Sequence, residues 1–200
     1  MTMEYEPPPK WKTPPRIVPS EDFLGEESTA PIHEAVGRAL SMWEHAESVN
    51  IKLFQLLCET KSFAACRVYG TLDSVFSRHN AIRYAAEEFF ISRDKDDFIH
   101  LKEIIKVYNN TGQYRNQIAH GMAIQPHAYG YFLCPPSYAS KRRKTPRPSE
   151  RWALGADYFY RVKEIDHFCL RFEQILKSTM TLVVYLNEKY SVLEGWELHP

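Results

Sequence analysis

Two hundred residues are the length of one ordinary domain, since domains commonly run to about 100–200 residues. With 44% hydrophobic, 14% aromatic and 25% charged residues, the chain can bury a sizeable core, which excludes a disordered or collagen-like polymer. The 25 Lys and Arg residues balance the 25 Asp and Glu residues, so no global basic field marks the chain as a nucleic-acid binder.

The first thirty residues are rich in proline. Residues 1–30 hold six of the 13 prolines, and proline fixes φ and removes a backbone donor, so neither a helix nor a central strand is expected there. The sequence predicts an extended tail over 1–30. Five apolar side chains leave open whether this tail docks on the domain or on a partner: Trp11, Ile17, Val18, Phe23 and Leu24.

Two helical regions follow the tail. From Pro31 to Leu57, apolar residues recur at three- and four-residue steps, with proline in the first turn, which predicts a long amphipathic helix. A second helical region spans 62–92, and His79 and Asn80 suggest a break within it.

Two further helices are predicted in the second half of the chain. One begins near Lys95 and continues to Ala119, with a kink expected at the poor helix formers of 109–112. The last helix, about 163–189, has the most regular apolar period in the chain and must pack on the others.

Between these helices, the aromatic-rich runs 129–134 and 156–162 are typical of short strands and predict a hairpin. The sequence therefore predicts a predominantly all-α fold: a bundle of four to five helices with a small β-hairpin inserted before the last helix. This domain is expected over 31–190, followed by a C-terminal tail over 191–200.

The residues best suited to chemistry lie near the end of the third helix. Arg115, Asn116 and His120 fall within six residues. At about 100° per residue, Asn116 and His120 lie about 40° apart on one helix face, and Arg115 lies about 140° from His120, so its long side chain must bend back toward the imidazole. Histidine transfers protons near neutral pH, and the arginine fork matches phosphate oxygens.

The pattern Arg115-Asn116-x-x-x-His120, followed by Gly121, resembles the signature of the HEPN superfamily (higher eukaryotes and prokaryotes nucleotide-binding domains). In that family an arginine, a polar residue, three further residues and a histidine lie on one helix of a four- or five-helix bundle. The resemblance covers roughly 31–190 and implies a HEPN-like fold. Its specific part is the six-residue motif.

Many HEPN proteins are metal-independent endoribonucleases that dimerise, so that two motifs face each other across one cleft. The resemblance therefore implies a homodimer that cleaves RNA without a metal or other cofactor. His120 would be general base or acid, Arg115 would stabilise the phosphorane, and Asn116 would position the substrate. It also implies a toxin–antitoxin or phage-defence setting, with an antitoxin or companion protein as a further partner.

A basic loop is the second candidate for contact with RNA. Residues 141–151 contain six basic residues and one acidic residue, Glu150. Such a run attracts the phosphate backbone of a nucleic acid without recognising its base sequence. The candidate RNA-binding residues are Lys141, Arg142, Arg143, Lys144, Arg147 and Arg151. A solvated loop explains this run equally well. Four tyrosines of the two predicted strands could stack bases, but aromatic residues on a hairpin are more typical of packing on the helices: Tyr129, Tyr131, Tyr158 and Tyr160.

Two alternatives of other classes remain open. The first is a non-catalytic helical dimerisation or scaffolding module, in which the Arg115 to His120 segment is structural. The second is a di-iron bundle, because Glu164 and His167 have the Glu-x-x-His spacing of such sites. A complete di-iron site needs a second such pair and two more inward glutamates, which the sequence does not supply.

The cysteines and the lack of long apolar runs bear on the cellular compartment of the protein. Four cysteines are scattered without a C-x-x-C pair, which argues against zinc ribbons and a disulfide framework and favours a reducing compartment. The sequence has neither an N-terminal signal peptide nor an apolar run long enough to span a bilayer. A soluble, cytoplasmic protein is therefore expected.

Overall fold

The computed structural model describes residues 11–15, 17–126, 128–136 and 156–193. In these ranges the fold is predominantly helical, as predicted, with five helices and one pair of short strands. The helices are α1 (Ala30–Leu57), α2 (Phe63–Gly70), α3 (Val75–Phe89), α4 (Lys95–His120) and α5 (Val162–Tyr190). The strands are β1 (Met122–Ile124) and β2 (Phe132–Cys134). No described helix carries the long apolar stretch that a membrane span requires.

The second helical region consists of two helices, and the break between them lies earlier than predicted. Ser74 is the N-cap of α3: its hydroxyl accepts from the Ser77 N–H at 3.0 Å, and the Ser77 hydroxyl accepts from the Ser74 N–H at 3.2 Å. This capping box satisfies N–H groups that the start of a helix leaves without partners. The prediction of a break at His79 is wrong because the capped start lies at Ser74, and His79 is buried inside α3.

The weak helix formers of 109–112 do not interrupt α4. Thr111 is buried, and its hydroxyl donates to the Val107 carbonyl at 2.7 Å within the helix. Tyr108, just before this stretch, is also buried. Packing of Tyr108 and Thr111 outweighs the low helix propensity of their neighbours. One continuous helix therefore carries the residues from 95 to the end of the motif.

The hairpin pairs β2 with a different strand from the one predicted. β1 follows α4 directly and pairs antiparallel with β2. The run 156–162, predicted as the partner of 129–134, contributes an isolated bridge between Tyr160 and Leu133 before α5 begins. The predicted pairing is wrong because a short connection, turning at Gly130 with φ of 87°, joins β1 to β2. The run 156–162 lies about twenty residues further on, a longer loop to close.

The described residues group into two compact units. The first contains 44–112 and 172–193, and the second contains 11–43 and 113–171 within the described ranges. The core of the first unit is a cluster of buried aliphatic and aromatic side chains from all five helices. The second unit has a smaller core around β2, made of Ile17, Phe132, Cys134, Ala156 and Phe159.

The N-terminal segment packs on α4 and α5 within the second unit. The Trp11 ring stacks on the His167 ring at a centroid distance of 5.0 Å and meets the Tyr114 ring edge-on at 5.5 Å. The Arg171 guanidinium lies 5.6 Å from the Trp11 ring centroid. Of the other apolar residues of this segment, Ile17 is buried, and Val18, Phe23 and Leu24 are exposed. The sequence left open whether this segment docks on the domain or on a partner, and the contacts of Trp11 show that it docks on the domain.

A buried polar cluster lies in the first unit. The Glu47 carboxylate of α1, 4% exposed, accepts a hydrogen bond from the Tyr108 hydroxyl. It also lies 3.4 Å from the Arg78 guanidinium. Burial, together with the charge of Glu47, raises the pKa of the neighbouring Tyr69 and Tyr108 hydroxyls. Because a buried carboxylate is costly unless it is paired, Tyr108 and Arg78 make the burial of Glu47 possible.

His79 belongs to the same cluster. Its ring is 3% exposed and packs edge-on against the Tyr108 ring at a centroid distance of 4.5 Å. Burial lowers the pKa of His79 to about 4, and the nearby Asn109 side chain opposes this shift only in part. The imidazole is therefore neutral in the folded protein at neutral pH.

Mild acid should destabilise the protein through His79. The unfolded chain takes up this proton below about pH 6.5, whereas the folded chain takes it up only near pH 4. The contribution of the neutral, buried imidazole to the free energy of unfolding is thus fully present above pH 6.5, and it is lost as the pH falls toward 4. We expect the free energy of unfolding, measured with urea, to fall by about 2 kcal/mol between pH 7 and pH 5.

The matched control is His79→Phe, which keeps an aromatic ring and removes the titrating group. This variant should lose most of the pH dependence between pH 7 and pH 5. A variant that keeps the full pH dependence would show that other groups cause it.

Candidate active site

The predicted motif lies in the last two turns of α4, and His120 is the final helical residue. Asn116 and His120 are exposed, and Arg115 is half-buried. The Arg115 Nη1 group donates to Asn116 Oδ1 at 3.3 Å. The structure thus joins Arg115 to Asn116 and leaves the imidazole of His120 accessible one turn further along the helix. A histidine on the same helix end as a guanidinium and an amide suits chemistry on an anionic substrate, because an imidazole can transfer protons and a guanidinium can hold anionic oxygens.

Two tyrosines from the segment before α5 hold the end of this helix. The Tyr158 hydroxyl donates to the Gln117 backbone carbonyl at 2.9 Å, and the Tyr160 hydroxyl donates to Gln117 Oε1 at 2.6 Å. The two rings stack at 4.7 Å, and burial raises the pKa of both hydroxyls. The last carbonyls of a helix lack partners within the helix. Tyr158 supplies one such partner, and so both tyrosines fix Gln117, which lies between Asn116 and His120.

Gly121 determines how the chain leaves α4. A Cβ atom at this position would lie 2.6 Å from Leu133 Cγ and 2.9 Å from the Gln117 carbonyl oxygen. Any larger residue must therefore displace β2 or the last turn of α4. Glycine at this position allows β1 to start at Met122, only one residue after α4 ends.

Alanine substitutions at two helix-associated glycines should have opposite effects. Gly121→Ala should lower the free energy of unfolding by about 1–3 kcal/mol because of the clash with Leu133. Gly37→Ala, inside α1 with no neighbouring atom within 4 Å of the added Cβ, should raise it by about 0.5–1 kcal/mol through helix propensity. Urea unfolding of both variants measures the difference. Equal effects at the two positions would contradict the close approach at Gly121.

The basic loop 141–151 lies outside the described residues. Its six candidate RNA-binding residues are Lys141, Arg142, Arg143, Lys144, Arg147 and Arg151. Their role stays a prediction from the sequence.

Glu164 and His167, which have the spacing of half a di-iron site, have other partners in the second unit. The Glu164 carboxylate is buried and accepts three hydrogen bonds from Arg161: from the backbone N–H at 3.0 Å, from Nε at 3.1 Å and from Nη2 at 2.9 Å. His167 stacks on Trp11. In the part of the chain that the structure describes, no group of three or more His, Cys, Asp or Glu side chains is placed to hold a metal ion.

A cleft of about 220 Å³ opens beside α4 in the second unit. Gln113 and Gln117 line it from the helix, opposite walls formed by Pro14 and by 157–160. The sequence held one signal for polar residues lining this side of α4. Gln113, Gln117 and His120 are spaced at i, i+4 and i+7, which puts them on one helix face. The cleft itself could not be found from the sequence because its other walls are distant along the chain.

The chain matches none of the protein-family models, curated proteins or solved structures with which it was compared. The resemblance to the HEPN superfamily therefore rests on the residues of the motif and on the helical layout.

Proposed function

We propose that the protein is a metal-independent endoribonuclease of the HEPN type. The observation that carries this proposal is the grouping of Arg115, Asn116 and His120 in the last six residues of α4, with the amide and the imidazole exposed. Within the last two turns of α4, His120 offers a group that can carry a proton and Arg115 offers a fixed positive charge, and metal-independent phosphodiester cleavage uses both.

The reaction transfers the phosphorus from one oxygen of the RNA to another. The 2′-hydroxyl loses its proton to a base and attacks the adjacent phosphorus. The 5′-oxygen of the next nucleotide then leaves and takes up a proton from an acid. The products are a 2′,3′-cyclic phosphate and a 5′-hydroxyl end. His120 serves as base or acid, Arg115 stabilises the charge on the phosphorane, and Asn116 positions the substrate.

A homodimer completes this chemistry. Each chain supplies one motif histidine, so two chains that face each other across one cleft supply both a base and an acid. The basic residues of 141–151 hold the RNA backbone through charge, so binding weakens as salt rises. The activity belongs to a cytoplasmic toxin–antitoxin or phage-defence system, with an antitoxin or companion protein as its regulator.

The test is cleavage of mixed-sequence RNA by the purified protein in excess EDTA. The expected products end in a 2′,3′-cyclic phosphate or in the 3′-phosphate formed when it hydrolyses. Analytical ultracentrifugation of the same sample should show a dimer. Absence of both cleavage and RNA binding would overturn the proposal and support a non-catalytic dimerisation or scaffolding module instead.

A further inference from the structure

Gln117, inside the motif segment, is held at two points by tyrosines. Its backbone carbonyl accepts a hydrogen bond from the Tyr158 hydroxyl at 2.9 Å, and its side chain oxygen Oε1 accepts one from the Tyr160 hydroxyl at 2.6 Å. The first contact supplies a partner that the last turn of a helix lacks. The second contact acts on the side chain alone, and it fixes the orientation of the amide.

Tyr160 is suited to hold this amide in one orientation. Its side chain is 9% exposed, and its ring stacks on the Tyr158 ring at a centroid distance of 4.7 Å. The hydroxyl therefore has little freedom to move. Burial raises the pKa of the Tyr160 hydroxyl, so the hydroxyl keeps its proton near neutral pH and remains a donor. Because Oε1 is turned toward Tyr160, the amide nitrogen Nε2 is turned away from it.

The amide nitrogen of Gln117 has donors to offer to a ligand. Tyr158 and Tyr160 both bond to oxygens of Gln117, so Nε2 keeps its two N–H donors for other partners. Gln117 also lines the cleft beside α4. A donor that is already held in its bound orientation loses less freedom when a ligand arrives, and so it binds more tightly than a mobile one.

This donor lies within one turn of the motif histidine. Gln117 and His120 are three residues apart on α4, which places them about 60° apart around the helix axis, with a rise of about 4.5 Å. The cleft has a volume of about 220 Å³, below the roughly 300–1,000 Å³ of pockets that take drug-sized ligands. It therefore suits one unit of a strand that continues toward His120 better than a folded element of RNA.

The backbone oxygens of RNA match a single fixed donor. Every nucleotide of RNA carries phosphate oxygens and a ribose 2′-oxygen, and all of them accept hydrogen bonds. These oxygens stand next to the bond that the proposed reaction breaks. The bases present different patterns of donors and acceptors, so one fixed N–H group has no constant partner among them.

We infer that Gln117 is a further substrate-binding residue of the proposed ribonuclease, whose Nε2 group donates to a ribose or phosphate oxygen beside the scissile bond. Tyr160 is its positioning residue, because it acts on the RNA only through Gln117. The inference rests on the proposed ribonuclease function, which supplies the substrate. The motif residues carry the chemistry, and Gln117 fixes where the strand lies relative to them.

The first experiment replaces Gln117 by glutamate. The new side chain still accepts from Tyr160, but it has an oxygen where the N–H donors were, so a merely structural role would be kept. The apparent Kd for RNA, from single-turnover cleavage at increasing protein concentration, should rise by about tenfold or more. Circular dichroism and urea unfolding check that the variant is folded. An unchanged Kd would overturn the inference.

The matched control is Gln113→Glu. It adds the same charge one turn earlier on the same face of α4, at an exposed position that also lines the cleft. This variant should raise the Kd for RNA much less than Gln117→Glu does. Equal rises for the two variants would show a general repulsion of RNA by added negative charge and would contradict a contact at Gln117.

A double-mutant cycle tests the part of Tyr160. Tyr160→Phe keeps the ring and removes the hydroxyl, so the amide loses its fixed orientation and the Kd for RNA should rise by about threefold or more. In the Gln117→Glu background, the same substitution should cause no further rise. Independent effects of the two substitutions would mean that Tyr160 does not act through Gln117.

Substituted RNAs identify the oxygen. Fluorescence anisotropy measures their binding to His120→Ala protein, in which cleavage is slow. The RNAs carry a single 2′-deoxy or a single methylphosphonate group beside the scissile bond. One of these changes should weaken binding by about tenfold, and much less once Gln117 is also replaced by glutamate. Losses that are the same with either residue at position 117 would overturn the inference.

Binding and cleavage together separate this inference from the proposed function. RNA cleavage that Gln117→Glu leaves unchanged would overturn the role of Gln117 and leave the ribonuclease proposal intact. RNA binding that depends on Gln117, without cleavage in EDTA, would overturn the ribonuclease proposal and support the RNA contact. Absence of RNA binding would overturn both.

Discussion

Replacement of His120 by alanine should lower the rate of RNA cleavage by about 10²–10⁴-fold, the usual contribution of a general acid or base. The imidazole is exposed at the end of α4, so its removal should leave the fold and the oligomeric state unchanged. The measurement is the single-turnover cleavage rate of a labelled RNA in EDTA, at matched circular dichroism. The control is His45→Ala, which removes another exposed helix histidine and should cleave at the wild-type rate.

Replacement of Arg115 by alanine should lower the same rate by about 10²–10³-fold, because the phosphorane loses a charged donor. Arg115→Lys should restore only part of the rate, since a lysine cannot offer a planar fork of donors. If folded His120→Ala and Arg115→Ala variants both cleave as fast as the wild type, the activity belongs to a contaminant or to another site. The catalytic assignment would then be wrong.

Replacement of Glu47 by alanine should lower the free energy of unfolding by about 3 kcal/mol. The substitution removes the hydrogen bond from the buried Tyr108 hydroxyl to Glu47 and the ion pair of Glu47 with Arg78. The effect should lie at the lower end of the range for buried pairs, because the Arg78 side chain is 27% exposed and regains contact with water. Urea unfolding at pH 7 gives this value.

Two further variants test the cause of this loss. Tyr108→Phe keeps the ring and removes the donor to Glu47, so it should cost about 1–3 kcal/mol. Glu34→Ala removes an exposed carboxylate of α1 that pairs with Arg38 at 2.6 Å, and surface pairs of this kind contribute about 0–1 kcal/mol. A Glu47→Ala variant as stable as Glu34→Ala would show that the buried cluster does not stabilise the fold.

Local sequence patterns were sufficient for the helices and for the position of the motif. The predicted helix 163–189 is observed as Val162–Tyr190, and the helix predicted from Pro31 begins at Ala30. Apolar spacing locates such helices because one helix face must be buried whatever it packs against. The motif residues were also found from sequence, since their spacing on one helix does not depend on distant segments.

Parts of the fold that depend on partners from elsewhere in the chain were predicted poorly. The run 156–162 has strand composition, but its tyrosines bind the end of α4 and β1 pairs with β2 instead. The boundary before α3 follows from the Ser74 and Ser77 capping box, a weaker signal than the Ser-x-x-Glu form of this motif. The burial of Glu47 was not predicted, because its partners Tyr108 and Arg78 lie on other helices, far from it in sequence.

The sequence by itself determined the helical class, the bounds of the long helices and the Arg115 to His120 motif at the end of one of them. These features follow from periodicity and from residue spacing within one element, which act over a few residues. Only the tertiary structure decided which strand pairs with β2, how Tyr158 and Tyr160 hold the motif helix, and that a cleft opens beside it. The reason is physical: each of these needs segments far apart in sequence to meet, and composition does not specify which segments meet.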